Sequence, residues 1–193
     1  MTNLKDTFEK EIIKELQSKL GIKNPMAVPH LVKMMVNTSM KEFLQDKKNL
    51  EKTSEELALI TGQKPKVSKS RVSIASFKLR EGDEIGLTVT LRRGKMYDFF
   101  ERLVKIIFPR MRDFSGIDER SFDGRGNLSV GFSEHTAFPE IDPGKVDKLR
   151  GLQVTIVTNA GSDGKAKALL EALGMPFKKV KSKQSLNSDE FQK

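Results

Sequence analysis

At the start of the chain Leu4, Phe8, Ile12, Leu16 and Leu20 stand four apart with Ile13 beside them, one apolar stripe on a 3.6-residue period. That spacing predicts a helix, and Gly21 is placed to end it. "NPMAVPHL" brings Pro25 and Pro29 into a stiff connector with little room for regular structure. The apolar run "LVKMMVN" at 31–37 then reads as a buried strand. A second helix is expected from about Leu44 to Thr61, stopped by Gly62, with Leu50, Leu57 and Ile60 on its inner side.

The next pattern has period two. Val72, Ile74, Phe77 and Leu79 precede the turn-rich "REGDEIG", and Ile85, Leu87, Val89 and Leu91 follow it, which predicts a hairpin. The second strand would turn its four apolar residues to a core and Gly86, Thr88, Thr90 and Arg92 to the opposite side. "KMYDFFERLVKIIFP" returns to helical spacing through Met96, Phe99, Phe100, Leu103, Val104 and Ile107, with Pro109 as its stop. After an irregular stretch from Arg110 to about Gly126, strands are predicted at 127–132 and 152–158 with a short helix near Val146 to Leu149 between them. Ser162 is placed to cap a last helix carrying Ala166, Leu169, Leu170 and Leu173, closed by Gly174 and Pro176.

These elements imply an α+β fold: a mostly antiparallel sheet of about five strands, helices packed on one face and the other face open. Residues 1–179 are expected to form a single domain, and 180–193, with almost nothing to bury, a disordered basic tail.

Charge gives the open face a purpose. Lys plus Arg number 35 against 26 Asp plus Glu, a formal charge of +9 that points to a polyanionic partner, nucleic acid before membrane. Residues 62–80 hold Lys64, Lys66, Lys69, Arg71, Lys78 and Arg80 without one acid. A solvated strand face normally mixes both signs, so this stretch favours phosphate and ribose contacts. With one Tyr, no Trp and few aromatics on the polar strand faces, backbone and shape recognition of folded RNA fits better than base stacking. Apolar runs such as "LVKIIF" fall far short of the roughly 20 residues that cross a bilayer. The absence of cysteine removes thiol chemistry and suggests the cytosol, and the N-terminus has no signal-peptide core, so the chain is expected to start as made.

Candidate chemistry is thin. "TNAGSDGKA" at 158–166 is two residues short of a phosphate-loop spacing and reads as a strand-to-helix turn. "SFDGRGN" at 121–127 offers Asp123 between possible positive-φ glycines, with no His or Cys partner, and reads as a structural turn. His135 reads as a surface-loop histidine, His30 likewise, and Met34 with Met35 as core. No metal or other cofactor is implied. The competing possibility is an RNA-processing or nucleotide-dependent enzyme built on the Asp123 or Lys165 loops.

Several blocks are long and unusual: "GQKPKVSKSRVSIASFKLREGDEIGLTVTLRRGKMYDFFERL", "FPRMRDFSGI", "SFDGRGNLSVGF" and "FPEIDPGKVDKLRGLQVTIVT". In order and spacing, from about residue 3 to "GMPFKK" at 174–179, the chain resembles the L-five family of the bacterial large ribosomal subunit, which binds 5S ribosomal RNA. The resemblance implies no catalysis and a concave sheet seated on 5S rRNA in the central protuberance, among 23S rRNA and neighbouring large-subunit proteins. The family's RNA contacts fall on Lys33 and Asn37 at the end of the first strand, on Gln63, and on Thr90 and Arg92. The hairpin tip, about Lys66 to Arg80, with Lys66, Lys69, Arg71, Lys78 and Arg80, would reach the transfer RNA of the peptidyl site. The loops at "FPRMRDFSGI" and "FSEHTAFPEID" would meet a small-subunit head protein in an intersubunit bridge. The chain departs from the family at Thr38-Ser39-Met40-Lys41 and at Ala75-Ser76-Phe77, where glycines are usual.

Overall fold

The computed structural model describes residues 4–39, 47–111, 114–146 and 148–178. The predicted tail at 180–193, the expected helix start at 44–46 and the Met40-Lys41 departure lie outside these residues.

Helix α1 occupies 4–20 as Leu4–Thr7, a π-helical turn Phe8–Ile12, and Ile13–Leu20. Gly21 closes it in the left-handed conformation, φ 67°, which costs glycine no Cβ clash. Strand β1 (Leu31–Ser39) leads to α2 (Lys47–Thr61), β2 (Lys66–Lys69) and β3 (Glu84–Leu91). Helix α3 spans 93–110 as Arg93–Arg102, a π-helical turn Leu103–Ile107, and a last turn Phe108–Arg110. Strands β4 (Leu128–Phe132) and β5 (Leu152–Thr158) and helix α4 (Asp163–Ala172) complete the chain.

The sheet runs β2-β3-β1-β5-β4, antiparallel throughout. Its register fixes both faces. Asn37 of β1 lies opposite Thr88 of β3 and Gln153 of β5, and Met35 lies opposite Thr90 and Thr155. Because side chains alternate, Met34 and Val36, Leu87, Val89 and Leu91, Leu152, Val154 and Ile156, and Leu128 and Phe132 all turn to one side. There they join Leu16 of α1, Leu57 of α2, Phe100 of α3 and Leu169 of α4 in one core. Each such side chain, fully buried, contributes about 1.5–3 kcal/mol. On the opposite face Lys33, Met35, Asn37, Thr88, Thr90, Ser129 and Thr155 are half-buried and Gln153 is exposed.

The α+β class and the one-sided helix layer agree with the sequence reading. Several local expectations do not. The run at 31–37 is not buried on both sides: Met34 and Val36 are, Lys33 and Asn37 are not. The first hairpin strand is β2 at Lys66–Lys69, not 72–79. Pairing ends at Lys69 opposite Glu84, and Ser70 closes the ladder by donating its N–H to Asp83 O (2.8 Å) and accepting from Gly82 N–H (3.0 Å). Residues 71–81 therefore project as a loop, with Val72, Ile74 and Phe77 exposed despite their alternation. Ser76 sits in a 3-10 turn inside it, Ala75–Phe77.

Pro109 lies inside the last turn of α3, Phe108–Arg110, and the helix ends one residue after it. Of the helix expected near 146–149, Val146, Lys148 and Leu149 are not helical and Asp147 lies outside the described residues; a 3-10 turn, Pro143–Lys145, precedes them. A 3-10 turn, Pro25–Ala27, also forms in the connector expected to be irregular. Ser162 holds the capping position of α4 without a side-chain bond, and the Asp163 carboxylate instead accepts the Gly126 N–H at 2.8 Å.

Candidate nucleic-acid interface

The helix-free face is built from rows that cross the strands. One row sets Lys66, Thr88, Asn37 and Gln153 side by side on β2, β3, β1 and β5, and the next sets Thr90, Met35, Thr155 and Ser129 on β3, β1, β5 and β4. Hydroxyls pair within the surface: Ser68 Oγ with Thr88 Oγ1 and Ser129 Oγ with Thr155 Oγ1, both at 3.1 Å. Such a layer offers donors and acceptors at fixed spacing with few long side chains to be ordered on binding.

Gln63 reaches this face through the end of α2. Gly62 adopts φ 65° and donates its N–H to Ala58 O at 2.8 Å, and the Thr61 hydroxyl sits between the carbonyls of Leu57 (2.7 Å) and Gln63 (3.0 Å). Lys95 Nζ donates to Gly62 O at 3.1 Å and ties the turn to α3. Gln63 thereby emerges beside β3, its Nε2 3.5 Å from the Thr90 carbonyl oxygen.

Four of the five residues expected to share a surface thus belong to neighbouring strands or touch one: Lys33 and Asn37 on β1, Thr90 on β3, and Gln63 against Thr90. Lys33 stands near the start of β1 rather than at its end. Arg92 lies one residue beyond β3, exposed, in the extended position that caps α3. Sequence reasoning passed over Thr155, Ser129 and Gln153, whose strands share the face. The alternation of "LQVTIVT" carried the signal, since Gln153 and Thr155 interrupt its apolar positions.

At the far end of β2 and β3 the loop is locally ordered. Ile74 and Leu79 exchange main-chain hydrogen bonds (2.9 and 3.1 Å), Arg80 donates its N–H to Asp83 Oδ2 at 2.7 Å, and Lys78 takes the left-handed φ of 53°. Lys66, Lys69, Arg71 and Lys78 are exposed, and these four cations with Lys64 and Arg80 form no ion pair among the described residues. Their field is therefore offered to solvent or a partner.

The loops considered for catalysis are built for structure. Asp123 accepts N–H groups from Arg125 (2.8 Å) and Asn127 (3.0 Å) on Oδ1 and the Asn127 side-chain amide (2.6 Å) on Oδ2. The Asn127 bonds hold its carboxyl below the usual range, so it stays an anion that orders a turn. Gly124 and Gly126 both have positive φ, as that turn requires. His135 is not a surface residue: it is 2% exposed, its Nδ1 accepts the Arg150 N–H at 3.1 Å, and its Nε2 lies 3.6 Å from Glu56 Oε2. Burial depresses its pKa, opposed by the Glu56 charge. Among the described residues no group of three or more His, Asp or Glu is placed to hold a metal.

Lys33 and Lys66 among the hydroxyls and amides of this uncovered sheet face give the class of surface that binds a polyanion. The pattern described as ribosomal protein L5 matches residues 24–80, and a second pattern, for the C-terminus of the same ribosomal family, matches 84–177. The chain is 51% identical over 178 residues to the large ribosomal subunit protein uL5 of Dichelobacter nodosus, and 52% identical over 178 to that of Desulforapulum autotrophicum. Both alignments cover 92% of this chain and 99% of the relative. Against the protein of the same name from Dictyoglomus turgidum it is 50% identical over 179 residues, 93% of this chain and all of the relative. The chain belongs to the ribosomal protein L5 family. It is accordingly a structural, non-enzymatic constituent of the large ribosomal subunit, which works in the cytoplasm.

Proposed function

We propose that the helix-free face seats 5S rRNA and helps fasten it in the central protuberance, beside 23S rRNA and neighbouring large-subunit proteins. The observation that supports this best is the grouping of Asn37, Thr90 and Gln63, from three separate stretches of sequence, on one uncovered surface with Lys33 and Arg92 at its margin. Lys and Arg neutralise phosphates, while Asn37, Gln63 and Thr90 match a folded RNA shape. Residues 1–179 act as one unit in this role.

The basic loop serves a different RNA. Lys66, Lys69, Arg71, Lys78 and Arg80 extend from the sheet toward transfer RNA in the peptidyl site, and the segments at 108–117 and 132–142 meet a small-subunit head protein across the subunit bridge. Competition between 5S rRNA and an unrelated RNA of equal length, at physiological salt, tests the central role. A marked preference for 5S rRNA is expected; equal binding would reduce the face to a general polyanion surface.

A further inference from the structure

At Arg92 the helix-free face borders a second concavity. The β1–β3 register, with Met34 opposite Leu91, brings Arg92 to the Lys33 end of the sheet. A groove opens there between the starts of β1, α1 and α3, toward the helix layer, lined by Lys5, His30, Arg92 and Arg93 with the buried Leu31 and Met96, and by no carboxylate among the described residues. Lys5 is paired with Glu9 at 3.7 Å. Arg92 and Arg93 are exposed and form no ion pair among the described residues.

Arg93 shares with Lys78 a backbone conformation uncommon outside glycine. Its φ is 54°, in the left-handed region that disfavours any residue with a Cβ, whereas Gly94 next to it has an ordinary φ and leaves its freedom unused. A strained conformation of this kind persists only where the surrounding structure holds it, and such positions cluster at ligand-binding sites. A guanidinium presents a planar fork that matches phosphate oxygens. We propose that Arg93 binds a backbone phosphate of the RNA seated on the sheet, one step past Arg92, with His30 flanking the groove. The identity of that RNA as 5S rRNA rests on the function proposed above; the phosphate site itself rests on the groove.

The test compares the wild-type chain with R93G, R93Q and R93K by filter binding to 5S rRNA over a range of salt. R93G and R93Q should bind more weakly and flatten the slope of log K against log salt by one phosphate, about 0.7–0.9. R93K, which keeps the charge, should retain the slope, and R93G, freed of the strained conformation, should melt no lower than wild type. An unchanged slope in R93G and R93Q overturns the proposal, as does a loss that R93K shares in full. The wild type's preference for 5S rRNA over unrelated RNA is read separately. If that preference is absent but the slope still depends on residue 93, the function proposed above fails and the phosphate site stands.

Discussion

Glu56 Oε2 of α2 and Arg150 Nη1, just before β5, meet at 2.5 Å, and the arginine side chain is 3% exposed. His135 stacks its own contacts onto this pair: its main-chain N–H donates to Arg150 O at 2.8 Å while its ring accepts the Arg150 N–H. One charged pair thus joins the helix layer to the long connection between β4 and β5. Removing the carboxylate strands a buried guanidinium. Glu56→Ala should cost about 3 kcal/mol in chemical denaturation. A loss below about 1 kcal/mol, the size expected of an exposed pair, would show that Arg150 finds another partner or water.

The buried histidine predicts a pH dependence with a definite sign. Burial lowers the folded-state pKa of His135 below its ordinary 6.5, against an opposing pull from the charges of Glu56 and Glu134. The unfolded chain therefore binds this proton first as pH falls, and stability contributed by the neutral ring is present above about 6.5 and lost from there down to the folded value. The melting temperature of the wild type should drop through that window more steeply than that of His135→Gln. Parallel curves for the two proteins would contradict it.

On the open face, substitutions should separate binding from folding. Asn37 and Thr90 turn away from the core, so Asn37→Ala and Thr90→Ala should change stability by no more than about 0.5 kcal/mol. Each should weaken 5S rRNA binding by about 1 kcal/mol, roughly fivefold. Mobility-shift titrations check the binding effect and thermal melts the stability. Affinity equal to wild type in both variants would remove these residues from the interface.

The basic loop should behave in the opposite way. Lys69 and Arg71 stand at and beyond the end of the paired part of β2 and β3, so replacing both by Ala should leave 5S rRNA affinity as it is and lower retention of transfer RNA in the peptidyl site of reconstituted ribosomes. A large fall in 5S affinity would mean that one RNA covers both surfaces.

Much of this architecture could be read from local signals. Gly21 and Gly62 end their helices in the left-handed conformation that their positions predict, and the two faces of β3 follow directly from its alternation. What escaped detection depends on partners distant in sequence. Val72 with Ile74, and Phe77 with Leu79, are spaced like strand residues, yet β3 has no residues left to pair with them, so Val72, Ile74 and Phe77 end on an exposed loop. His135 is buried against partners distant in sequence, the Arg150 main chain and Glu56 of α2. The strain at Arg93 is invisible to composition, since a glycine stands at the very next position.

The central place of β1 sets an order of events during synthesis. By residue 91 the chain has made β1, β2 and β3 and can zip three neighbouring strands, but the second edge of β1 waits for β5 at Leu152–Thr158. Until those residues leave the exit tunnel, a nascent chain carries an unprotected strand edge and a half-width surface, an invitation to mispairing. The full width of the sheet can therefore assemble only after Thr158 has been translated, well after its first three strands are available.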